Sequence, residues 1–100
     1  MKLYDFKLAP NPRRVRMFLA EKGIEVPSEQ INTREGEQFK DGFKAINPRG
    51  TVPALVLDDG TVLTESVAIC RYFEETNPEP PLFGRSATEK AVVENWNRRA

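Results

Sequence analysis

The first element, Lys2–Phe6, is short and β-like, and the loop Ala9-Pro10-Asn11-Pro12 then leads into a helical period of apolar positions. Val15, Phe18, Leu19 and Lys22 recur at helical spacing, the lysine able to snorkel to solvent, and Gly23 supplies a C-terminal stop. Asn11 is a good N-cap for this helix and Pro12 a good first residue, since proline has no N–H to leave unpaired there. Ile24–Ile31 reads as a second strand, set at a sheet edge by Pro27. Phe39, Phe43 and Ile46 stand at i, i+4 and i+7, which predicts a second helix over about Glu37–Ile46, ended by Asn47-Pro48-Arg49-Gly50.

Thr51–Leu57 has the apolar run of a buried strand, and Thr61–Thr64 returns after the turn Asp58-Asp59-Gly60. An Asp-Gly pair between apolar runs is a strong hairpin signal. Ser66–Thr76 carries a broad apolar face and stops at Asn77-Pro78. Glu79-Pro80-Pro81 has linker composition, and Ser86-Ala87-Thr88-Glu89 is a capping box that opens a last helix striped by Val92, Val93 and Trp96. The order β-α-β-α-β-β-α predicts an α/β domain of thioredoxin-like arrangement, given the right-handed crossover of βαβ units. The expected division is residues 1–78 for that domain, 79–85 for a linker, and 86–100 for the first helix of an all-α domain left unfinished at Ala100.

Composition narrows the chemistry. With 15 basic and 15 acidic residues the chain is neutral, which argues against a dedicated nucleic-acid binder. The local exception, Arg13, Arg14 and Arg16, reads as the solvated side of the first helix. The lack of histidine excludes histidine-based catalysis, and a single cysteine, Cys70, excludes an internal disulfide and a zinc site of the His/Cys type. Inside the third helix, Cys70 reads as buried packing rather than as a nucleophile. Met1–Phe6 carries an acid, Asp5, where a signal peptide would have its apolar run, and no apolar stretch approaches the ~18–20 residues needed to span a bilayer. The expectation is a cytoplasmic protein that binds neither membrane nor nucleic acid.

Two stretches carry candidate chemistry. In Asn47-Pro48-Arg49-Gly50-Thr51-Val52-Pro53-Ala54-Leu55, a proline opens a strand. A cis bond before Pro53 would turn the Val52 backbone outward, free to pair with an extended peptide; the alternative is a plain turn before a strand. In Thr64-Glu65-Ser66-Val67-Ala68-Ile69, Ser66 opens a helix whose free N–H groups favour a carboxylate, and Glu65 can accept from an ammonium. Together they suit the α-amino-acid end of a ligand, while Ser66 alone also serves as an ordinary helix cap.

The Val-Pro strand opening, the Asp-Gly hairpin and the Glu-Ser-x-Ala-Ile helix start together resemble the glutathione site of the cytosolic glutathione transferase superfamily, in its bacterial theta- and nu-like members. The likeness extends to Arg14-Val15-Arg16 with Phe18-Leu19-Ala20, to Pro80-Pro81-Leu82-Phe83-Gly84 and to Trp96. It implies that Val52 and Pro53 bind the cysteinyl backbone of glutathione, and that Glu65 and Ser66 hold its γ-glutamyl end. Gln38 corresponds loosely to a polar residue near the glycyl carboxylate, with Arg34 and Arg49 as alternatives. Glutathione is then a co-substrate and no cofactor is implied. The resemblance also implies a small electrophilic substrate, a detoxifying role and a homodimer.

The sequence departs from the family pattern where the thiol is activated. Alignment on Arg14-Val15-Arg16 puts Ala9 where theta- and zeta-like members carry serine, and Tyr4 lies too early in its strand to substitute. A free thiol has a pKa of about 8.5, so a transferase must favour the thiolate by a helix dipole and by hydrogen bonds to sulfur. Asn11 is the remaining donor nearby, and its other reading is the N-cap alone. The functions that follow are glutathione conjugation to electrophiles, glutathione-dependent disulfide reduction, or a non-catalytic binding role.

Overall fold

The computed structural model describes residues 1–99. Strands β1 (Lys2–Asp5), β2 (Ser28–Gln30), β3 (Ala54–Val56) and β4 (Val62–Leu63) form one sheet in the order β2-β1-β3-β4. β1 and β2 are parallel, and β1–β3 and β3–β4 are antiparallel. Helices α1 (Pro10–Lys22), α2 (Asp41–Ile46), α3 (Ser66–Thr76) and α4 (Ala87–Arg99) complete the order β-α-β-α-β-β-α-α. This is the thioredoxin-like α/β arrangement that the element pattern predicts.

The period of two along the strands sorts the core into two faces. Leu3 and Leu55 pair across β1 and β3 and join Val15 and Leu19 of α1 with Ile69, Cys70 and Phe73 of α3. Their neighbours Tyr4 and Ala54 turn to the opposite face, where Ile31 and Phe43 wait. The Tyr4 and Phe43 rings meet at 5.4 Å, so Tyr4 is a packed ring. α1 and α3 therefore cover one side of the sheet and α2 the other.

Local differences from the sequence reading have physical causes. α1 starts at Pro10, with Ala9 as the extended N-cap, so Asn11 lies inside the first turn and is not the cap. Pro10 meets the first-residue requirement as well as Pro12 does, and an earlier start adds helical residues without stranding a donor. Gly23, at φ 68°, closes the helix with its N–H on the Ala20 and Leu19 carbonyls. The second helix is shorter than the apolar spacing predicts. Asn32 Oδ1 accepts from the N–H groups of Arg34 and Glu35, and Asn32 N–H donates to Glu37 at 2.7 Å. These bonds wind Thr33–Glu35 and Glu37–Phe39 into two 3₁₀ turns, and α2 begins only at Asp41. Phe39 thus leaves the apolar stripe and lies against Gly50, where an added Cβ would come within 3.0 Å of its ring. β2 is also shorter than Ile24–Ile31, since Ile24 and Val26 pack on the core before the ladder begins.

The arginine cluster is not simply a solvated face. Arg16 forms an ion pair with buried Asp5 and donates to the Lys7 carbonyl at 3.1 Å, clasping the β1–α1 loop, while Arg14 turns towards α3. Lys22 does not reach solvent. Its side chain is fully enclosed, and Nζ lies 2.6 Å from Glu74 Oε1, 2.5 Å from the Asn77 carbonyl and 2.6 Å from the Pro80 carbonyl. The capping box forms as expected, with Ser86 and Glu89 exchanging hydrogen bonds of 3.1 Å. On α4, Val93 packs against the core, whereas Val92 and Trp96 are exposed. Among the described residues no helix is long and apolar enough to cross a membrane.

Candidate functional site

A cleft of about 810 Å³ opens where the start of β3 meets the N-terminus of α3. It is lined by Asn11 and Arg14 of α1, by Arg49 and Thr51-Val52-Pro53 before β3, and by Thr64–Ala68. Arg71 of α3 and Glu94, Asn97 and Arg98 of α4 form its far wall. Four residues singled out in the sequence, Val52, Pro53, Glu65 and Ser66, are thus side by side, and Asn11 faces the same space.

The Val52–Pro53 peptide bond is cis, as is Glu79–Pro80. Asn47, itself buried, holds the approach to this bend. Its Nδ2 donates to the Thr51 carbonyl at 2.9 Å and its Oδ1 accepts from Arg49 N–H at 3.1 Å. Val52 precedes the ladder, and neither its N–H nor its C=O takes part in a hydrogen bond among the described residues. On the cleft lining and without partners, its backbone groups are available to a ligand.

Glu65, in an extended conformation, is the N-cap of α3 but makes no side-chain capping bond, and Ser66 is the first helical residue. Ser66 is consequently not a cap. Only 8% exposed, its hydroxyl oxygen accepts from Arg14 Nη1 at 3.4 Å. The first-turn N–H groups of α3 lack a side-chain acceptor and face the cleft with the positive end of the helix dipole. Glu65 pairs with Arg49 at 3.2 Å, both side chains being largely exposed.

The remaining candidates lie elsewhere or act differently. Gln38 does not line the cleft; its Nε2 donates to the Thr33 carbonyl at 3.2 Å, and its Oε1 is buried without a partner. Arg34 is also off the lining, and Arg49, though on it, is taken up with Glu65. Ala9 contributes no side-chain donor and serves as the N-cap of α1. Cys70 lies beneath the cleft, beside a small cavity of about 140 Å³ that it shares with Arg14, Phe18, Val67 and Val93. Burial pushes its thiol up to about 11, with the Arg14 charge offsetting only part of the effect. A thiol so placed is protonated near neutrality and is no nucleophile. No cluster of His, Cys, Asp and Glu able to hold a metal occurs among the described residues.

Arg14, Arg71, Glu94, Asn97 and Arg98 belong to the cleft but were not read from the sequence as site residues. Arg14 carried a signal: with Phe18 and Lys22 it forms an i, i+4, i+8 row on the face of α1 that meets α3. The α4 residues carried none, because nothing in a helical period fixes which way a helix after a linker will lie.

Residues 9–76 match the family described as glutathione S-transferase, N-terminal domain. Over 102 residues the chain is 43% identical to glutathione S-transferase 2 of Saccharomyces cerevisiae, covering all of this chain and 44% of that protein. The crystal structure of a glutathione S-transferase domain-containing protein from Marinobacter aquaeolei superposes with a TM-score of 0.91 at 42% identity, over 99% of this chain and 49% of that one. A glutathione transferase homologue from Sulfitobacter, solved with bound glutathione, superposes with a TM-score of 0.79 at 31% identity, over 87% of this chain and 41% of that one. The chain thus spans about half the length of the relatives it matches. It belongs to the glutathione S-transferase family, whose N-terminal, thioredoxin-like domain it forms.

Proposed function

We propose that the cleft binds glutathione as an extended peptide and that the full-length protein transfers its thiolate to electrophilic, hydrophobic substrates. The observation that carries this reading is the meeting of the unpaired Val52 backbone with Ser66 and the N-terminus of α3 in one cleft. Glutathione needs both features: a partner for its cysteinyl backbone and a cradle for the carboxylate of its γ-glutamyl end. The bound glutathione in the Sulfitobacter homologue supports the same choice of ligand. Glu65 then accepts from the γ-glutamyl ammonium, and its ion pair with Arg49 puts that arginine at the same end of the peptide. A tripeptide spans about 10 Å, so Arg49 is too close to Glu65 to serve the glycyl carboxylate. Gln38, off the cleft lining and with its Nε2 on the Thr33 carbonyl, is not assigned to that end either.

In this reading the thiol loses its proton to solvent and the sulfur attacks the electrophile. A sulfur–carbon bond forms, and a leaving group departs with its electron pair or an adjacent carbon takes up a proton. The thiolate is favoured by the N-terminus of α1, whose cap offers no side-chain acceptor, and by the Asn11 side-chain N–H. Titration calorimetry with glutathione, followed by conjugation of a model electrophile, tests the proposal on the full-length polypeptide. Saturable binding and a thiol that titrates well below 8.5 are expected. Absence of glutathione binding would refute the reading, and binding with turnover of mixed disulfides alone would replace transfer with reduction.

A further inference from the structure

We propose that Arg14 is a positioning and specificity residue of this cleft: it orients the Ser66 hydroxyl outward and supplies the charge that selects a carboxylate beside it. The inference rests on the glutathione reading above, which gives Arg14 no part.

Four guanidinium groups line the cleft, and three are occupied. Arg49 pairs with Glu65 at 3.2 Å, while Arg71 and Arg98 share Glu94 at 3.8 and 2.7 Å. Arg14 alone among them has no carboxylate within ion-pair distance among the described residues. Its one side-chain bond is the 3.4 Å contact from Nη1 to Ser66 Oγ. Arginine stays protonated at all accessible pH values and carries five N–H donors in a planar fork, so most of its donor capacity is unspent. A hydroxyl has a single hydrogen. With an Arg14 N–H aimed at its oxygen, the Ser66 hydrogen turns away from α1, and no described group accepts it. A ligand carboxylate at the N-terminus of α3 would receive that hydrogen, the first-turn N–H groups and the long-range field of Arg14 together. A neutral amide there would lose the charge-dependent part of the attraction. Arg14 therefore acts on Ser66 and on ligand choice, not on the reacting sulfur.

The test compares glutathione with γ-aminobutyryl-cysteinylglycine, which keeps the amine and lacks the α-carboxylate. Both are titrated calorimetrically into full-length wild type, Arg14→Met, Arg14→Lys and Ser66→Ala. Because the Arg14–Ser66 contact is long, the low end for a charged hydrogen bond applies, and Arg14→Met should weaken glutathione about tenfold. The analogue should bind Arg14→Met as it binds wild type. Lysine, which restores charge but not the fork, should recover part of the loss. Combined with Ser66→Ala, Arg14→Met should cost less than the two single changes multiplied, and in turnover it should raise the KM for glutathione with little change in kcat. Equal weakening of both peptides, or of neither, overturns the role of Arg14 while leaving the glutathione reading intact. If wild type binds neither peptide, both fall together. Should Arg14→Met not fold, the discrimination shown by Arg14→Lys decides the matter, since unchanged preference for glutathione would overturn the proposal.

Discussion

α1 and α3 lie side by side in the same direction, and the residues that meet across them repeat at one-turn intervals. Arg14, Phe18 and Lys22 face Ser66, Cys70 and Glu74. The middle rung is apolar, with Cys70 buried and Phe18 partly so, but the two end rungs use the same kinds of polar group to opposite ends. At the C-terminal end Lys22 has three N–H donors and three oxygen acceptors, and its ammonium also lies 5.6 Å from the Phe18 ring centroid. Glu74 in turn accepts from Leu82 N–H at 3.3 Å and Phe83 N–H at 3.1 Å. That rung is closed and satisfied, and it ties the Pro-rich segment after α3 to both helices. At the N-terminal end Arg14 and Ser66 share one long bond, and an open cleft takes the place of further partners. Completed hydrogen bonding marks structure, whereas unspent donors beside a cavity mark a place for a ligand.

The comparison breaks first if the closed rung proves dispensable. Removing one member of an enclosed ion pair strands the other charge, which costs about 3–5 kcal/mol. Glu74→Ala should therefore show a large loss of stability in chemical denaturation, with glutathione affinity per folded molecule nearly unchanged. Replacing both partners by apolar residues, as in Lys22→Met with Glu74→Leu, should cost less than the single change. A Glu74→Ala protein as stable as wild type would mean that the clip is ornamental.

The same rung predicts an acid response. Burial pushes the Glu74 carboxyl up, but the Lys22 hydrogen bond, the Phe83 and Leu82 N–H groups and the Lys22 charge outweigh it, so the net shift is below the ordinary 4.5. A folded pKa below the unfolded one gives stability that is fully present above about 4.5. It is lost as the pH falls through the lower, folded value. Wild type should thus lose stability more steeply than Glu74→Gln on acidification below pH 4.5, while the two curves run parallel near neutrality. Parallel curves throughout would show that the pair does not persist in solution.

At the open rung the effects should reverse. Ser66→Ala removes a donor to a charged ligand, worth about 1.5–3 kcal/mol, or roughly a tenfold or greater loss of glutathione affinity. As Ser66 is not the cap of α3, the melting temperature should fall by less than cap removal would cause, which is about 1 kcal/mol. A variant with normal affinity but a depressed melting temperature would make this rung structural, like the other.

The two rungs differ in how far the sequence disclosed them. The strand and helix order was legible because apolar periodicity fixes it, and Ser66–Thr76 matches α3 residue for residue. Val52, Pro53, Glu65 and Ser66 were legible as candidates because they stand at element boundaries, where backbone groups are left unpaired. The Lys22–Glu74 clip was not: each residue falls in phase with an apolar stripe, but a one-dimensional pattern cannot say that two such charges face each other. The second helix failed for a related reason. Spacing at Phe39, Phe43 and Ile46 suggested one helix, while the bonds of Asn32, which break it, are side-chain choices that periodicity does not record.

The smallest effect on the fold, and the one that bears most on catalysis, concerns Asn11. Its side chain makes no capping bond and Ala9 holds the cap position, so Asn11→Ala should change stability by less than about 0.5 kcal/mol, as for a surface substitution. The proposed donation to sulfur is then isolated from any role in folding. Loss of one such bond should raise the pKa of bound glutathione by about one unit, equivalent to 1.36 kcal/mol. Ala9→Ser, which adds a hydroxyl at the α1 N-cap, should shift it the opposite way if that hydroxyl reaches the sulfur. Thiolate absorbance followed against pH in the full-length polypeptide, with melting curves run in parallel, measures both. An unchanged titration in Asn11→Ala would remove Asn11 from the chemistry and leave the helix dipole and backbone as the source of activation. A shift in Asn11→Ala alone would mean that the cleft activates the thiol from inside the first turn of α1, two residues beyond the position that Ala9 leaves empty of a donor.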